Sequence, residues 1–277
     1  KLIKKNYLEN LNNSKKPFII YKSNKGFDLY TDFSKKIILT KNNIEKFINQ
    51  STKLKSKKKE TDLFIGFFGY EILNNLIGIK VKKQKGLKFP KGVFYKPETK
   101  KKLPNKLNYK NLRIVRSNKL FKINIDKSSY KIVFDKFKKK IKSGETYQIK
   151  ICTKYSNKAQ IDALDFFCRL VKSNMAPEAF IIKDKDYSII SCSPENLINK
   201  KNDFITTKPI AGTLKKTKKL NKIKALAFFK KNIKETKEHN MIVDMERSDL
   251  SRVCKTGSVK ILKKKIVEEY KDLYHYV

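Results

Sequence analysis

Arginine is scarce in this chain. Arg113, Arg116, Arg169, Arg247 and Arg252 are its only arginines, so the formal net charge of +41 over 277 residues is carried almost wholly by lysine. Such a charge would suit a polyanionic partner, because clustered cations release counterions from a phosphate backbone. Base readers and phosphate clamps, however, favour the bidentate fork of arginine, and here lysine is spread through nearly every segment beside abundant Asn and Ile. The pattern indicates a general bias toward these residues on a solvated surface. It predicts weak, salt-sensitive attraction to polyanions and no specific nucleic-acid partner, with a basic nucleic-acid-binding protein as the less favoured alternative. Cysteine is equally sparse: Cys152, Cys168, Cys192 and Cys254 show neither CxxC spacing nor a nearby histidine. That excludes a disulfide frame and a zinc site, and predicts small buried thiols in a reducing compartment. Long apolar runs are missing, as is a signal-peptide core, so a cytoplasmic protein without a membrane partner is expected. No internal repeat is found.

Hydrophobic residues at 39%, with 18 Phe and 13 Tyr, supply core for one large domain or two modest ones. Short strands are predicted at Phe18–Tyr21 and Ile37–Leu39, then a helix over 42–50 and a solvated lysine loop over 53–59. Leu63–Tyr70 reads as a buried strand whose Gly66 and Gly69 permit close backbone approach. Residues 81–110, rich in Lys, Pro and Gly, read as irregular connection with one strand at 92–96. Ser128 and Ser129 mark a helix start, Gly144 its stop, and Tyr130, Val133, Phe134, Phe137 and Ile141 form a stripe expected in the core. A strand over Tyr147–Cys152, a helix over 161–172 and strands at 179–183, 187–192, 204–207 and Gly257–Leu262 follow. A helix from about 220 leads into the segment Glu235–Asp249. Without strict βαβ alternation, α+β is the expected class.

In that segment Glu235, Glu238, Ile242, Met245 and Asp249 share one helical stripe, mixing carboxylates with apolar side chains. A stripe turned inward would be a metal or substrate site, since buried carboxylates need a cation or a partner. A stripe turned outward would be a surface face whose acids pair with Lys234 and Lys237. Periodicity leaves both open. Pro209-Ile-Ala-Gly-Thr213 offers the Gly212 amide and Thr213 hydroxyl as a cradle for an anion, or a plain glycine turn. Ser193-Pro-Glu195 and His275 are each unremarkable alone.

Taken together and in order, these segments resemble the chorismate-utilising enzymes, closest to the large subunit (component I) of anthranilate synthase. The resemblance rests on Gly144-Glu-Thr-Tyr-Gln-Ile-Lys-Ile151, Ser193-Pro-Glu195, Thr207-Lys-Pro-Ile-Ala-Gly-Thr213, Glu238 to Val253, Gly257-Ser-Val259 and Glu269 to Val277. It spans 120–277, with Ile65-Gly-Phe-Phe-Gly-Tyr-Glu71 as a weaker N-terminal echo. It implies two mostly antiparallel β-sheets packed together with surrounding helices, divided into an N-terminal region, 1–115, and the first part of a chorismate-binding catalytic domain, 120–277. It also implies that Glu235 and Glu238 help hold Mg2+, that Gly212 and Thr213 contact substrate, and that His275 assists departure of the ring hydroxyl as a general acid. Ala211 and Gln148 occupy substrate-binding positions that divide the branches. Relatives that add water carry a lysine at Gln148, and many aminodeoxychorismate synthases carry one at Ala211. The implied reaction is amination of chorismate with ammonia and loss of pyruvate, a lyase reaction giving anthranilate for tryptophan. The alternative product is 4-amino-4-deoxychorismate for folate. Ammonia would come from a glutamine amidotransferase subunit, because no Cys-His glutaminase pattern is present. The chain departs from the family at Arg247-Ser-Asp249, where Arg-Asn-Asp is usual, and at Asn174-Met-Ala-Pro-Glu-Ala-Phe180, and it lacks the N-terminal inhibitor motif. Because the family continues past the equivalent of Val277, the expectation is a C-terminally incomplete fold, inactive alone.

Overall fold

The structure, a computed structural model, describes residues 7–23, 26–52, 60–79, 89–109 and 120–277. In chain order the elements are α1 (Tyr7–Asn13), β1 (Phe18–Ser23), β2 (Gly26–Ile38), α2 (Ile44–Thr52), β3 (Ile65–Phe68), α3 (Tyr70–Leu76) and β4 (Gly92–Leu103). Next come β5 (Lys122–Ile123), α4 (Lys127–Lys142), β6 (Tyr155–Ser156), α5 (Ala163–Asn174), β7 (Glu178–Lys183) and β8 (Ser188–Ser193). The remainder are β9 (Asn199–Lys201), β10 (Phe204–Thr206), β11 (Thr213–Lys215), α6 (Lys222–Lys231), α7 (Ile233–Ser251), β12 (Val267–Glu269) and β13 (Leu273–Tyr276). They fall into two compact units, Lys1–Lys110 with Ala163–Val277, and Asn111–Asp162.

The larger unit is organised on a six-stranded antiparallel sheet in the order β3-β4-β2-β1-β7-β8. Side chains alternate across it, as the two-residue period of a strand requires. Phe18, Ile20, Phe27, Leu29, Ala179 and Ile181 face one core with Leu164 and Phe167 of α5. Ile19, Tyr30, Val93, Tyr95 and Ile182 form a second core. With both faces covered, β1 carries the unbroken run Phe18-Ile-Ile, a pattern normal for a doubly buried strand. The second core holds a polar knot: Tyr95 Oη donates to Asp184 and lies 2.8 Å from Tyr187 Oη, while Lys36 Nζ closes on Asp184 at 2.6 Å. Each buried polar atom there answers another.

Several expectations are corrected. Residues 92–103 form one long strand rather than a short one in an irregular connection. Pro97, which lacks an amide hydrogen, is accommodated where the β2–β4 register shifts between Phe33 and Lys35. The strand predicted at Leu63–Tyr70 is the partly buried edge strand β3, not a core strand. Its glycines do serve close approach, since a Cβ on Gly66 would stand 1.9 Å from the Val93 carbonyl oxygen. The lysine loop over 53–59 lies outside the described residues. Gly257–Leu262 is not a strand. Of the cysteines, all free, only Cys168 is fully buried.

In the smaller unit α4 begins at Asp126 rather than at the serines. The Asp126 side chain accepts from the Ser129 amide at 2.7 Å, and Gly144, at φ +76°, follows the last turn. The apolar stripe of α4 is not core: Tyr130, Phe134, Phe137 and Ile141 are exposed, and Val133 is only half-buried. Tyr147–Cys152 forms no strand; the pairing here is the two-residue ladder of β5 and β6. Among the described residues no helix is long and apolar enough to cross a membrane.

Candidate active site

The second sheet of the larger unit has three antiparallel strands in the order β11-β13-β12. Its register aligns Thr213 with His275 and His275 with Glu268, so these three residues form one row across the sheet. Neighbouring positions on β13, Tyr274 and Tyr276, point the other way into a core with Val267, Ala225 and Phe229. Tyr276 stacks on Phe229 at 5.1 Å and 12°, and also meets the ring of His239 at 4.8 Å. The alternation of β13 therefore divides anchoring aromatic side chains from the functional row.

Within the row Thr213 Oγ1 lies 3.1 Å from His275 Nδ1. Glu268 accepts from Lys208 Nζ at 2.8 and 3.1 Å and from Tyr270 Oη at 2.8 Å. The ring of Tyr270 stands edge-on to His275 at 5.1 Å. His275 is 7% exposed. Burial pushes its pKa below the ordinary histidine value, the Lys208 charge adds to this, and the Gly212 backbone with the Glu195 and Glu268 carboxylates opposes it. Glu268 goes the other way from its burial: desolvation raises its pKa, but the bonds from Lys208 and Tyr270 outweigh it and hold the carboxyl below the usual range.

The acidic stripe begins at a helix break. Asn232 ends α6 and caps α7, its side chain accepting from the Glu235 amide at 3.2 Å. The predicted continuous approach is thus two helices, and the break aims the first turn of α7 at the sheet. A Cβ on Gly212 would stand 3.0 Å from Glu235 Oε2 and 2.9 Å from Phe229 Cε1. Gly212 adopts φ +103°, so both its backbone conformation and its surroundings call for glycine. Glu235 and Glu238 are half-buried, and Lys234 Nζ approaches both, at 3.6 and 3.9 Å. The C-terminal half of the stripe turns to solvent at Met245 and Asp249. The stripe is therefore half inward and half outward, the inward half being the one that meets Gly212.

Of the residues singled out from the sequence, the fold brings together Gly212, Thr213, His275 and Glu235, with Glu238 one turn along α7. Ala211 is buried, and its amide donates to the Tyr276 carbonyl at 3.0 Å. Gln148 belongs to the smaller unit and is exposed. Sequence reasoning left out Lys208, Glu268, Tyr270 and Glu246. Lys208 and Glu268 lie 60 residues apart, and only strand register could have paired them. Glu195 was visible in the Ser-Pro-Glu turn, but its use was not: Oε1 accepts from the Ile210 amide at 3.0 Å, fixing the segment before Gly212.

A metal would find two carboxylate donors on one helical face, hard oxygen ligands of the kind Mg2+ takes before completing its shell with water and ligand oxygens. Lys234, exposed along its side chain, already stands as a cation near both. The donor chemistry fits the ion. No group of three or more His, Cys, Asp or Glu able to hold a metal occurs among the described residues.

Comparison with known proteins gives a consistent picture. Aminodeoxychorismate synthase component 1 of Bacillus subtilis (strain 168) is 35% identical over 144 residues, 52% of this chain and 31% of that protein. Anthranilate synthase component 1 of Arthrobacter globiformis is 34% identical over 154 residues, 53% of this chain and 29% of that protein. The matched stretch thus spans about a third of these relatives. The crystal structure of anthranilate synthase component I from Streptococcus pneumoniae TIGR4 superposes with a TM-score of 0.65 at 21% identity, covering 94% of this chain and 66% of that one. That likeness bears out the expected α+β fold of antiparallel sheets and surrounding helices. A family profile described as chorismate binding enzyme matches residues 5–277, and the chain belongs to that family.

Proposed function

We propose that the protein aminates chorismate with ammonia and releases pyruvate to give anthranilate. The observation that carries this reading is the Thr213–His275–Glu268 row standing beside the Gly212–Glu235 contact, an anion cradle next to a proton-handling row. Glu235 and Glu238 would hold Mg2+. Bound there, the ion would neutralise the ring carboxylate of the substrate and fix its orientation.

The chain's own residues do the rest. The Gly212 backbone and Thr213 hydroxyl receive the substrate, close approach being possible because no Cβ intervenes. In the tautomer where the Thr213 hydroxyl donates to Nδ1, the His275 proton is at Nε2. Because burial favours the neutral ring, His275 assists the departing ring hydroxyl as a neutral N–H donor rather than as imidazolium. Ala211 supplies no nucleophile, which fits direct attack of ammonia on the ring. The leaving hydroxide takes up the proton that the attacking ammonia gives up and departs as water, and loss of the enolpyruvyl group together with a ring proton, as pyruvate, then aromatises the ring. Gln148 is an amide without a titratable proton, which argues against water addition. Ammonia would reach the site from a glutamine amidotransferase subunit, in keeping with relatives whose names mark them as component 1.

A second reading, formation of 4-amino-4-deoxychorismate, is favoured by the 35% identity to the Bacillus subtilis synthase. One experiment separates the two: the full natural chain is incubated with chorismate, ammonium and Mg2+, and the products are resolved by chromatography with fluorescence detection. Anthranilate supports the first reading. An aminated, non-aromatic product that retains the pyruvyl group moves the assignment to the second, and unchanged chorismate refutes both.

A further inference from the structure

We infer that Glu246 is a positioning residue, holding to α7 one end of a strap whose other end presents Gly212 and Thr213 to substrate; the inference rests on the chorismate site proposed above. Between Thr206, where β10 ends, and Thr213, where β11 begins, the chain is tied at five points. The Thr207 hydroxyl donates to Glu246 on α7. Lys208 Nζ donates to Glu268, the Ile210 amide to Glu195 and the Ala211 amide to the Tyr276 carbonyl, while the Gly212 carbonyl accepts from the Tyr276 amide. Of these, only the Thr207 tie ends on the helix that also bears Glu235 and Glu238.

The dimensions explain why that tie matters. Glu235 and Glu246 are 246 − 235 = 11 residues apart on α7, three turns, and so share one face about 16 Å apart along the axis. Thr207 sits at Glu246 and Gly212 at Glu235, five residues that reach about 17 Å when fully extended. The segment therefore meets α7 at both ends of this three-turn span. Releasing the Glu246 end leaves Gly212 held on β13 through Tyr276 but removes the segment's hold on α7, so that Glu235 can shift relative to Gly212. Burial raises the Glu246 pKa, the Thr207 bond opposes this, and repulsion from Glu195 and Asp249 adds to it, so this carboxylate is placed against its own electrostatics.

The test follows amide hydrogen exchange and chorismate binding in parallel, on the full natural chain with Mg2+. In Glu246→Ala and Thr207→Val, exchange at Ile210 and Ala211 should quicken at least about tenfold while β1 and β2 stay protected, and the chorismate Kd should rise roughly tenfold, the scale of one lost bond to a charged group. Glu246→Gln keeps an acceptor and Thr207→Ser keeps a donor, so both should remain within about threefold of the parent protein. Unchanged exchange at Ile210 and Ala211 in Glu246→Ala overturns the strap. So does equal loosening of β1 and β2, or a Glu246→Gln variant as impaired as Glu246→Ala. If exchange responds as expected but no form binds chorismate, the strap stands and the chorismate reading falls.

Discussion

Replacing Gly212 by alanine should disable the cradle and destabilise the fold around it together. At φ +103° an L residue pays conformational strain of about 1–3 kcal/mol. The new methyl would also stand 2.9 Å from Phe229 Cε1 and 3.0 Å from Glu235 Oε2. Phe229 is fully buried and stacked on Tyr276, so it cannot swing away, and forcing a methyl into such packing costs about 1–3 kcal/mol more. The sum is roughly 2–6 kcal/mol. At about 2–4 °C per kcal/mol for a domain of this size, thermal unfolding should drop by roughly 4–24 °C. Glu235 is the softer neighbour, so its carboxylate should be pushed aside and chorismate binding in Mg2+ should weaken. Adding Phe229→Leu removes the ring from the methyl's path but not the backbone strain, so it should recover at most the packing part, less whatever the smaller side chain costs the core. Calorimetry on the three proteins decides the matter. A Gly212→Ala protein that unfolds within about 1 °C of the parent would refute the argument.

Three further expectations follow from single contacts. Asn232→Ala removes the cap of α7 and should cost about 1 kcal/mol, with a matching loss of protection at the Glu235 amide in hydrogen exchange. Phe134→Gln, at a residue 44% exposed on α4, should change stability by less than about 0.5 kcal/mol in chemical denaturation, whereas a core position would lose several times that. His275 is held neutral by its burial, so its folded pKa lies below the unfolded one and the unfolded state binds more protons between them. Stability from this residue is therefore fully present above the ordinary histidine pKa and is lost as pH falls from there through the depressed value. Native-state NMR of the imidazole should show titration below 6.5, and a midpoint above that value would contradict the structure.

What the sequence disclosed, it disclosed through local rules. The run Phe18-Ile-Ile, the helix expected over 161–172 and found at Ala163–Asn174, and the strands expected at 179–183 and 187–192 and found at Glu178–Lys183 and Ser188–Ser193 are decided by nearest neighbours. The errors arise where distant partners decide. Pro97 looked like a break because proline cannot give a ladder hydrogen, but a register shift in β2 absorbs it. The α4 stripe looked like core because apolar spacing says that a helix has an apolar face and says nothing about what covers it. Tyr147–Cys152 alternates as a strand should, yet no partner strand pairs with it among the described residues. The site shows the same division. Gly212, Thr213 and Glu235 were legible as chemistry, whereas the Lys208–Glu268 pair and the tie from Glu195 to the Ile210 amide were invisible until the chain had folded.

The row formed by Thr213, His275 and Glu268 also sets what kind of change the site can survive. Its members are placed by strand register, so their grouping depends on parity. Deleting a single residue within β13 would turn His275 toward Phe229 and present an aromatic side chain in its place, although every side-chain type would still be there. Substitutions should therefore be graded in effect along these strands, while insertions and deletions of one residue should be all-or-none. A library meant to alter the chemistry of this protein should vary identity at fixed length.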